Sequence, residues 1–274
     1  MSASLSSAAQ QQFDSEVKHA FQAAGKLRDT VTVRNGVVGD IYKFRAMGKG
    51  LANQKATSAD VVAMGVSHSL ISCTLANWNA PEYSDIFDQA EVNFDERQEL
   101  AQTIAGALGR RLDQLILDAL DAATPAASIA SASTGLTLAK IIQTGKELND
   151  KGVPSGDRHF VVSAAGMEDM LGDSTITSAD YNNVRALMAG DIDTFMGFKF
   201  HTIESRTEGG LDIASSVREG FGYHKSALGL AVGIDIKTEV NYIAQKTSWL
   251  CNGVMKAGAV ARDGDGIVSV SWAE

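Results

Sequence analysis

The sequence predicts an α+β protein built around one long helix. Three observations carry that prediction: an amphipathic stripe over residues 93–122, a strand–turn–strand pattern from residue 30 whose far end has no core of its own, and alternating helical and extended runs that give way to β-rich sequence after residue 235.

Residues 1–12 are Ser, Ala and Gln apart from Met1 and Leu5, and read as a flexible arm tip. Phe13, Val17, Ala20, Phe21 and Ala24 then share one helical face, which predicts a short helix over 13–27. Residues 30–34 alternate β-branched with polar side chains and meet Asn35-Gly36, a pair favoured in tight hairpin turns, so a second strand is expected over 37–45. Between Met47 and Asp60 the only large apolar residue is Leu51, and a returning strand follows over 67–75. The stretch 37–78 thus reads as a two-stranded arm with a mobile tip. A lone ribbon is marginally stable in water, so it needs a partner surface.

In the helix, Ala101, Ile104, Ala105, Leu108, Leu112, Leu115, Ile116 and Ala119 recur at three- and four-residue steps, with Glu99, Gln102, Thr103, Arg110, Asp113, Gln114 and Asp121 opposite. Asn93 with Glu96 forms a capping pair and Pro125 stops the run, predicting a rod of ~42 Å over 95–122. Gly106 and Gly109 each cost ~1 kcal/mol relative to Ala in an exposed helix; either another segment packs closely there or tertiary packing tolerates them. A Ser/Ala linker over 126–133 precedes a helix at 136–151 ending at Gly152, an extended run at 159–163, a short helix at 167–171, a polar turn at 173–180, a helix at 181–189 and a strand at 198–203. Strands are expected at 236–244, 248–261 and 267–272, the last two joined by Asp263-Gly264-Asp265-Gly266.

At 274 residues and 45% hydrophobic content the chain can bury a real core. A net charge of -9 argues against coating nucleic acid by phosphate neutralisation. The N-terminus lacks a basic and apolar leader pattern, and no eighteen apolar residues run together, so neither export nor membrane insertion is expected. Cys73 and Cys251 have no CxxC partner and read as buried thiols. The Asp-Gly-Asp-Gly segment lacks the downstream bidentate Glu of a calcium loop and reads as a turn. The five histidines show no metal-ligand spacing, Gly48-Lys49-Gly50 is not followed by the Ser or Thr of a phosphate loop, and there is no GxSxG elbow. No catalytic, metal or cofactor residue is therefore assigned. Charge is divided instead: Lys26, Arg28, Arg34, Lys43, Arg45, Lys49 and Lys55 face only Asp29 and Asp40 in the arm region, while the long helix is acidic. A head-to-tail contact follows, in which Lys43, Arg45, Lys49 and Lys55 of one subunit meet Glu96, Glu99 and Asp113 of another.

This order of elements resembles the major capsid proteins of tailed bacteriophages, the Hong Kong 97-like fold. Local wording agrees: YKFRAMGKG at 42–50, RRLD at 110–113 followed by ILDAL at 116–120, RHFVVS at 158–163, 178–181 before Gly190, and HKSA at 224–227. The resemblance implies an N-arm over 1–29, an E-loop with its flanking strands over 30–90, a spine helix of the peripheral domain over 91–129, an axial domain over 130–235, and C-terminal peripheral strands over 236–274. It implies a non-enzymatic shell subunit that self-assembles as hexamers and pentamers in the host bacterial cytoplasm. The resulting virion capsid would enclose double-stranded DNA without sequence-specific binding. A separate scaffolding protein, a portal and a decoration protein are the implied partners. Two alternatives stay open: an encapsulin-like nanocompartment shell, and an α/β enzyme of unknown substrate.

Overall fold

The computed structural model describes residues 25–87, 96–172, 194–205 and 208–274. The helix expected at 13–27 lies almost entirely outside the described residues, as do the cap at Asn93, the turn at 173–180 and the helix at 181–189.

The long helix forms as α1, Glu96–Asp121, at 26 residues. Ile104, Leu108, Leu112 and Ile116 form one buried ridge along it, each side chain contributing about 1.5–3 kcal/mol when fully buried. The ridge presses on strand β12 (Ser248–Ala261) so closely that a Cβ on Gly253 would lie 2.3 Å from Ile104. Gly109, Asp113, Leu117 and Leu120 make a second buried stripe, so the apolar face is wider than periodicity alone predicts, while Ala105 stands exposed.

Two sheets hold the helix. One has the order β1-β11-β12-β4, with β1 Thr32–Asn35, β4 Ala76–Asp85 and β11 Leu228–Ile243. Pro81 is tolerated in β4 because that strand is an edge. The β11–β12 ladder shifts register between Val232 and Ile234 and again between Ile234 and Lys237. The other sheet, seven-stranded, has the order β5-β13-β10-β6-β8-β7, with β9 pairing β10. Its members are β5 Ala127–Ile129, β6 Arg158–Ser163, β7 Thr194–Phe195, β8 Phe198–Ile203, β9 Ile213–Ala214, β10 Val217–His224 and β13 Ile267–Ala273. Helices α2 (Leu138–Asp150) and α3 (Ala164–Gly172) cover one face of it: a Cβ on Gly222 would meet Thr144 of α2 at 2.5 Å, and one on Gly166 of α3 would meet Trp272 at 2.9 Å. Residues 236–261 run with the first sheet and 267–273 join the second, so the stretch 236–274 is divided between the two.

The expected tight hairpin at Asn35-Gly36 does not form. Strand β1 instead pairs in parallel with β11, from Thr32↔Gly229 to Asn35↔Val232, and the chain turns through Gly36 (φ 70°) and Gly39 (φ 100°) into a separate ribbon. Val31 is buried, and an existing sheet edge gives it apolar partners that a lone hairpin lacks. The ribbon is β2 (Ile41–Met47) paired antiparallel with β3 (His68–Thr74), so the two strands of the arm are 41–47 and 68–74.

Candidate assembly interface

The ribbon is anchored at its base and bare beyond it. Phe44 of β2 packs with Cys73, Leu75 and Ala231 into a small core of its own, with the Arg262 guanidinium 5.2 Å from the Phe44 ring centre. Alternation then puts Ile41, Lys43, Arg45 and Met47 on the open face. The Gly48 N–H donates to the Ser67 carbonyl at 2.8 Å and closes the end of the ladder. Residues 48–67 contain neither helix nor strand, and Leu51, Val61 and Val62 are 82%, 82% and 73% exposed. The tip therefore carries more bare apolar surface than Leu51 alone, because Val61, Val62 and Met64 join it.

The basic residues of the arm are placed as follows. Lys43, Arg45 and Lys55 are exposed. Lys49 pairs with Asp265 at 3.2 Å, and the other oxygen of that carboxylate takes Lys151 at 3.1 Å. These two lysines, Lys151 first, hold the Asp265 carboxyl below its ordinary range. The Asp-Gly-Asp-Gly segment is a 3-10 turn at Gly264–Gly266, in which the Asp263 side chain accepts the Asp265 N–H at 3.0 Å. Its carboxylates thus serve the turn and the lysines. A groove of about 590 Å³ lies between this turn and the ribbon, lined by Arg45, Lys49, Ser226, Arg262 and Asp263 among others.

On the acidic helix, Glu99 is half-buried and its main-chain carbonyl accepts the Thr103 hydroxyl at 3.2 Å. The Glu96 side chain lies outside the described residues. Asp113, expected at a subunit contact, is fully buried inside its own chain. One of its oxygens accepts the N–H groups of Lys26 (3.1 Å) and Leu27 (2.9 Å), and the other accepts Lys26 N–H at 2.9 Å. This is a correction with a plain cause: the root of the arm arrives with main-chain donors that have no strand partner, and a buried carboxylate satisfies them. The arm root passes close to the helix backbone one turn earlier: a Cβ on Gly25 would lie 2.7 Å from the Gly109 carbonyl oxygen. Close approach is thereby the reason a glycine stands at position 25.

The arm root is stapled at further points. Arg28 forms a bidentate pair with Asp235 at 2.8 and 2.7 Å, and Lys26 Nζ donates to the Thr202 carbonyl at 2.9 Å. In the RRLD quartet, Arg111 stacks 3.7 Å from the centre of the Trp78 ring, Leu112 enters the core and Asp113 is the clamp. The His224 ring Nδ1 accepts the Ser226 N–H at 3.2 Å and caps the 3-10 turn joining β10 to β11. Sequence periodicity missed the Asp113 clamp, although Gly109, Leu117 and Leu120 on the same stripe signal it.

Along the C-terminal half of α1 runs an open trough of about 480 Å³, floored by small residues including Ala119, Ala122, Ala257 and Ala259 and flanked by Leu115 and Asp118. Among the described residues no group of three or more His, Cys, Asp or Glu is placed to hold a metal ion, and no helix is long and apolar enough to cross a membrane.

Known proteins agree with this geometry. A structure from Mycobacterium phage Che8 superposes with a TM-score of 0.74 at 19% identity, covering 96% of each chain. The capsid structure of cyanophage P-SCSP1u gives 0.75 at 15% identity, over 100% of this chain and 96% of that one. The capsid of a native GTA particle gives 0.71 at 16% identity over 97% and 96%. No curated relative matches the chain. The profile of the phage capsid protein family matches residues 5–274, and with an α+β architecture shared end to end with phage capsid structures, the chain belongs to that family of structural head-shell proteins.

Proposed function

We propose that the protein assembles with copies of itself into hexamers and pentamers of an icosahedral shell enclosing double-stranded DNA, and that it has no catalytic activity. The ribbon acts as the E-loop: its tip, carrying Leu51, Val61, Val62, Lys49 and Lys55, lies over the helix and trough of a neighbour, with Glu96 and Glu99 on the receiving side. The observation that carries this reading is the bare apolar and basic tip at 48–67, which its own subunit leaves uncovered. The acidic flank of the trough at Asp118 is complementary to it. Assembly occurs in the bacterial cytoplasm on a separate scaffolding protein with a portal at one vertex, and a decoration protein binds outside; the product is the virion.

Light scattering of the purified subunit across a salt series, with negative-stain microscopy of the product, tests the proposal. Closed polyhedral particles that assemble more slowly as salt rises are expected, because exposed ion pairs are screened over ~8 Å at physiological ionic strength. Monomers under all conditions count against shell formation, and salt-independent kinetics count against the charged contact. Particles packed with protein and free of nucleic acid in infected cells point to a nanocompartment instead.

A further inference from the structure

A pair of histidines, His159 buried and His201 half-buried, sits where the arm root meets the seven-stranded sheet. His159 on β6 and His201 on β8 share one sheet face, and their ring nitrogens, Nδ1 and Nε2, are 3.0 Å apart. His159 is 5% exposed, its ring lies 5.9 Å from that of Tyr223 on β10, and its Nε2 has no hydrogen-bond partner among the described residues. Tyr223 is itself fully buried, and its hydroxyl lies 2.6 Å from the Thr30 hydroxyl. Thr30 already donates to the Leu27 carbonyl at 2.7 Å, so Tyr223 is the donor in that bond. Leu27 in turn is held by Asp113. One chain of contacts thus runs from the histidine pair to the root of the arm.

A neutral pair needs one proton between its facing nitrogens and is satisfied there. A second proton placed on His159 makes a buried imidazolium whose Nε2–H has no acceptor among the described residues. We propose that the His159–His201 pair is a proton-operated latch on the arm root: neutral, it lets Tyr223 hold Thr30 against the sheet; protonated, it releases residues 26–32 from that face.

The surrounding charges favour the neutral state. Asp157 at the start of β6 draws a proton toward His159, while Lys199 on β8 and Lys225 after β10 repel it. Arg158 faces the other side of the sheet. From the arm root come Lys26, Arg28 and Asp29; Asp113 faces Tyr223 from α1, and Glu204 follows β8. Burial first, then the neighbouring His201, pushes His159 down to about 4. The sign follows. The unfolded or released form takes its proton near 6.5, so the latch is fully closed above that value and loses stability as pH falls from there toward about 4.

This device does not depend on shell formation and is tested on the full-length unassembled subunit. Amide hydrogen exchange at residues 26–32, corrected for intrinsic rates, is followed from about pH 7.5 to about pH 4. Protection is expected to fall at least about tenfold in the acid limb, the equivalent of one pH unit of linkage. His159→Gln keeps a side-chain partner for His201 and removes the buried ring whose protonation opens the latch, so it should hold protection flat. Asp113 and Asp235 remain in that variant, so an opening they drive survives it, and an unchanged acid transition in His159→Gln overturns the proposal. So does a wild-type root that stays protected. If the variant does not fold, the Cε1 proton resonance of His159 in the wild type decides: its midpoint must lie well below 6.5 and coincide with opening of the root, and titration without opening is equally fatal.

Discussion

The arm root at 26–32 and the ribbon tip at 48–67 look alike in sequence, short, basic and without a core, yet the fold treats them oppositely. Root donors find acceptors within the subunit: the buried Asp113 for two main-chain N–H groups, and at the surface Asp235 for Arg28 and the Thr202 carbonyl for Lys26. The tip has one main-chain bond closing its base, one inside it from Ala59 N–H to the Ala56 carbonyl at 3.2 Å, and a solvent-exposed ion pair at Lys49. What separates them is whether the rest of the chain offers a buried counterpart. A basic segment that is matched becomes structure, and an unmatched one becomes contact surface.

The largest effect on the subunit should come from the matched side. Asp113→Ala removes the acceptor of two buried N–H groups and is expected to cost about 3–5 kcal/mol in urea unfolding, since each buried donor left unpaired costs about 1–3 kcal/mol and this acceptor is charged. A loss under about 1 kcal/mol would erase the contrast drawn above. Lys140→Met comes next. The Lys140 ammonium on α2 lies within 3.0 Å of the carbonyls of Ser131, Thr134, Gly135 and Ser271, which share its three N–H donors and so join the linker to β13. Burial lowers its pKa while Asp169 opposes that, and loss of about 2–3 kcal/mol is expected on thermal melting as four carbonyls lose their donor.

On the unmatched side, replacing 49–66 by a short turn should move the subunit's stability by no more than about 0.5 kcal/mol, as for surface changes, while particle yield collapses. Unfolding, or normal yield, would place the tip among the matched segments. Lys49→Glu is the smallest change: its melting curve should overlay that of the wild type, because exposed pairs contribute only about 0–1 kcal/mol. Assembly should slow at low salt and converge with the wild type at high salt.

How much of this was legible follows from locality. Helix α1, the ribbon strands and the far half of the β11–β12 hairpin announce themselves through their period, and the structure has α1 within a residue of its expected limits, whereas β11 begins at Leu228 and not at 236. Strand β10, Val217–His224, was not expected, since Gly220 and Gly222 leave one of its faces without side chains to show a strand period. Each glycine is instead needed where Trp272 or Thr144 crosses the strand, a Cβ there meeting them at 2.5 Å. Asn35-Gly36 misled for a related reason, since turn propensity says nothing about a distant sheet edge already waiting for β1. For the interface, the uneven charge was visible but not which carboxylates were spoken for: Asp113 looked like its polar neighbours on the helical wheel because its partners lie 86 and 87 positions away.

The two register shifts in the β11–β12 ladder have a mechanical consequence. The strands are clamped where Leu230, Ala231 and Val232 are buried between their neighbours, while Val240 and Tyr242 near the hairpin's far end are 42% and 45% exposed. The β12–β4 ladder runs unbroken past the same point, from Ser248↔Asp85 to Ala257↔Ala76, so the missing rungs bend and twist β11 locally while β12 stays backed on its other side. The change of strand direction is thereby taken up by β11, and the face of β12 on which the α1 ridge rests keeps its register.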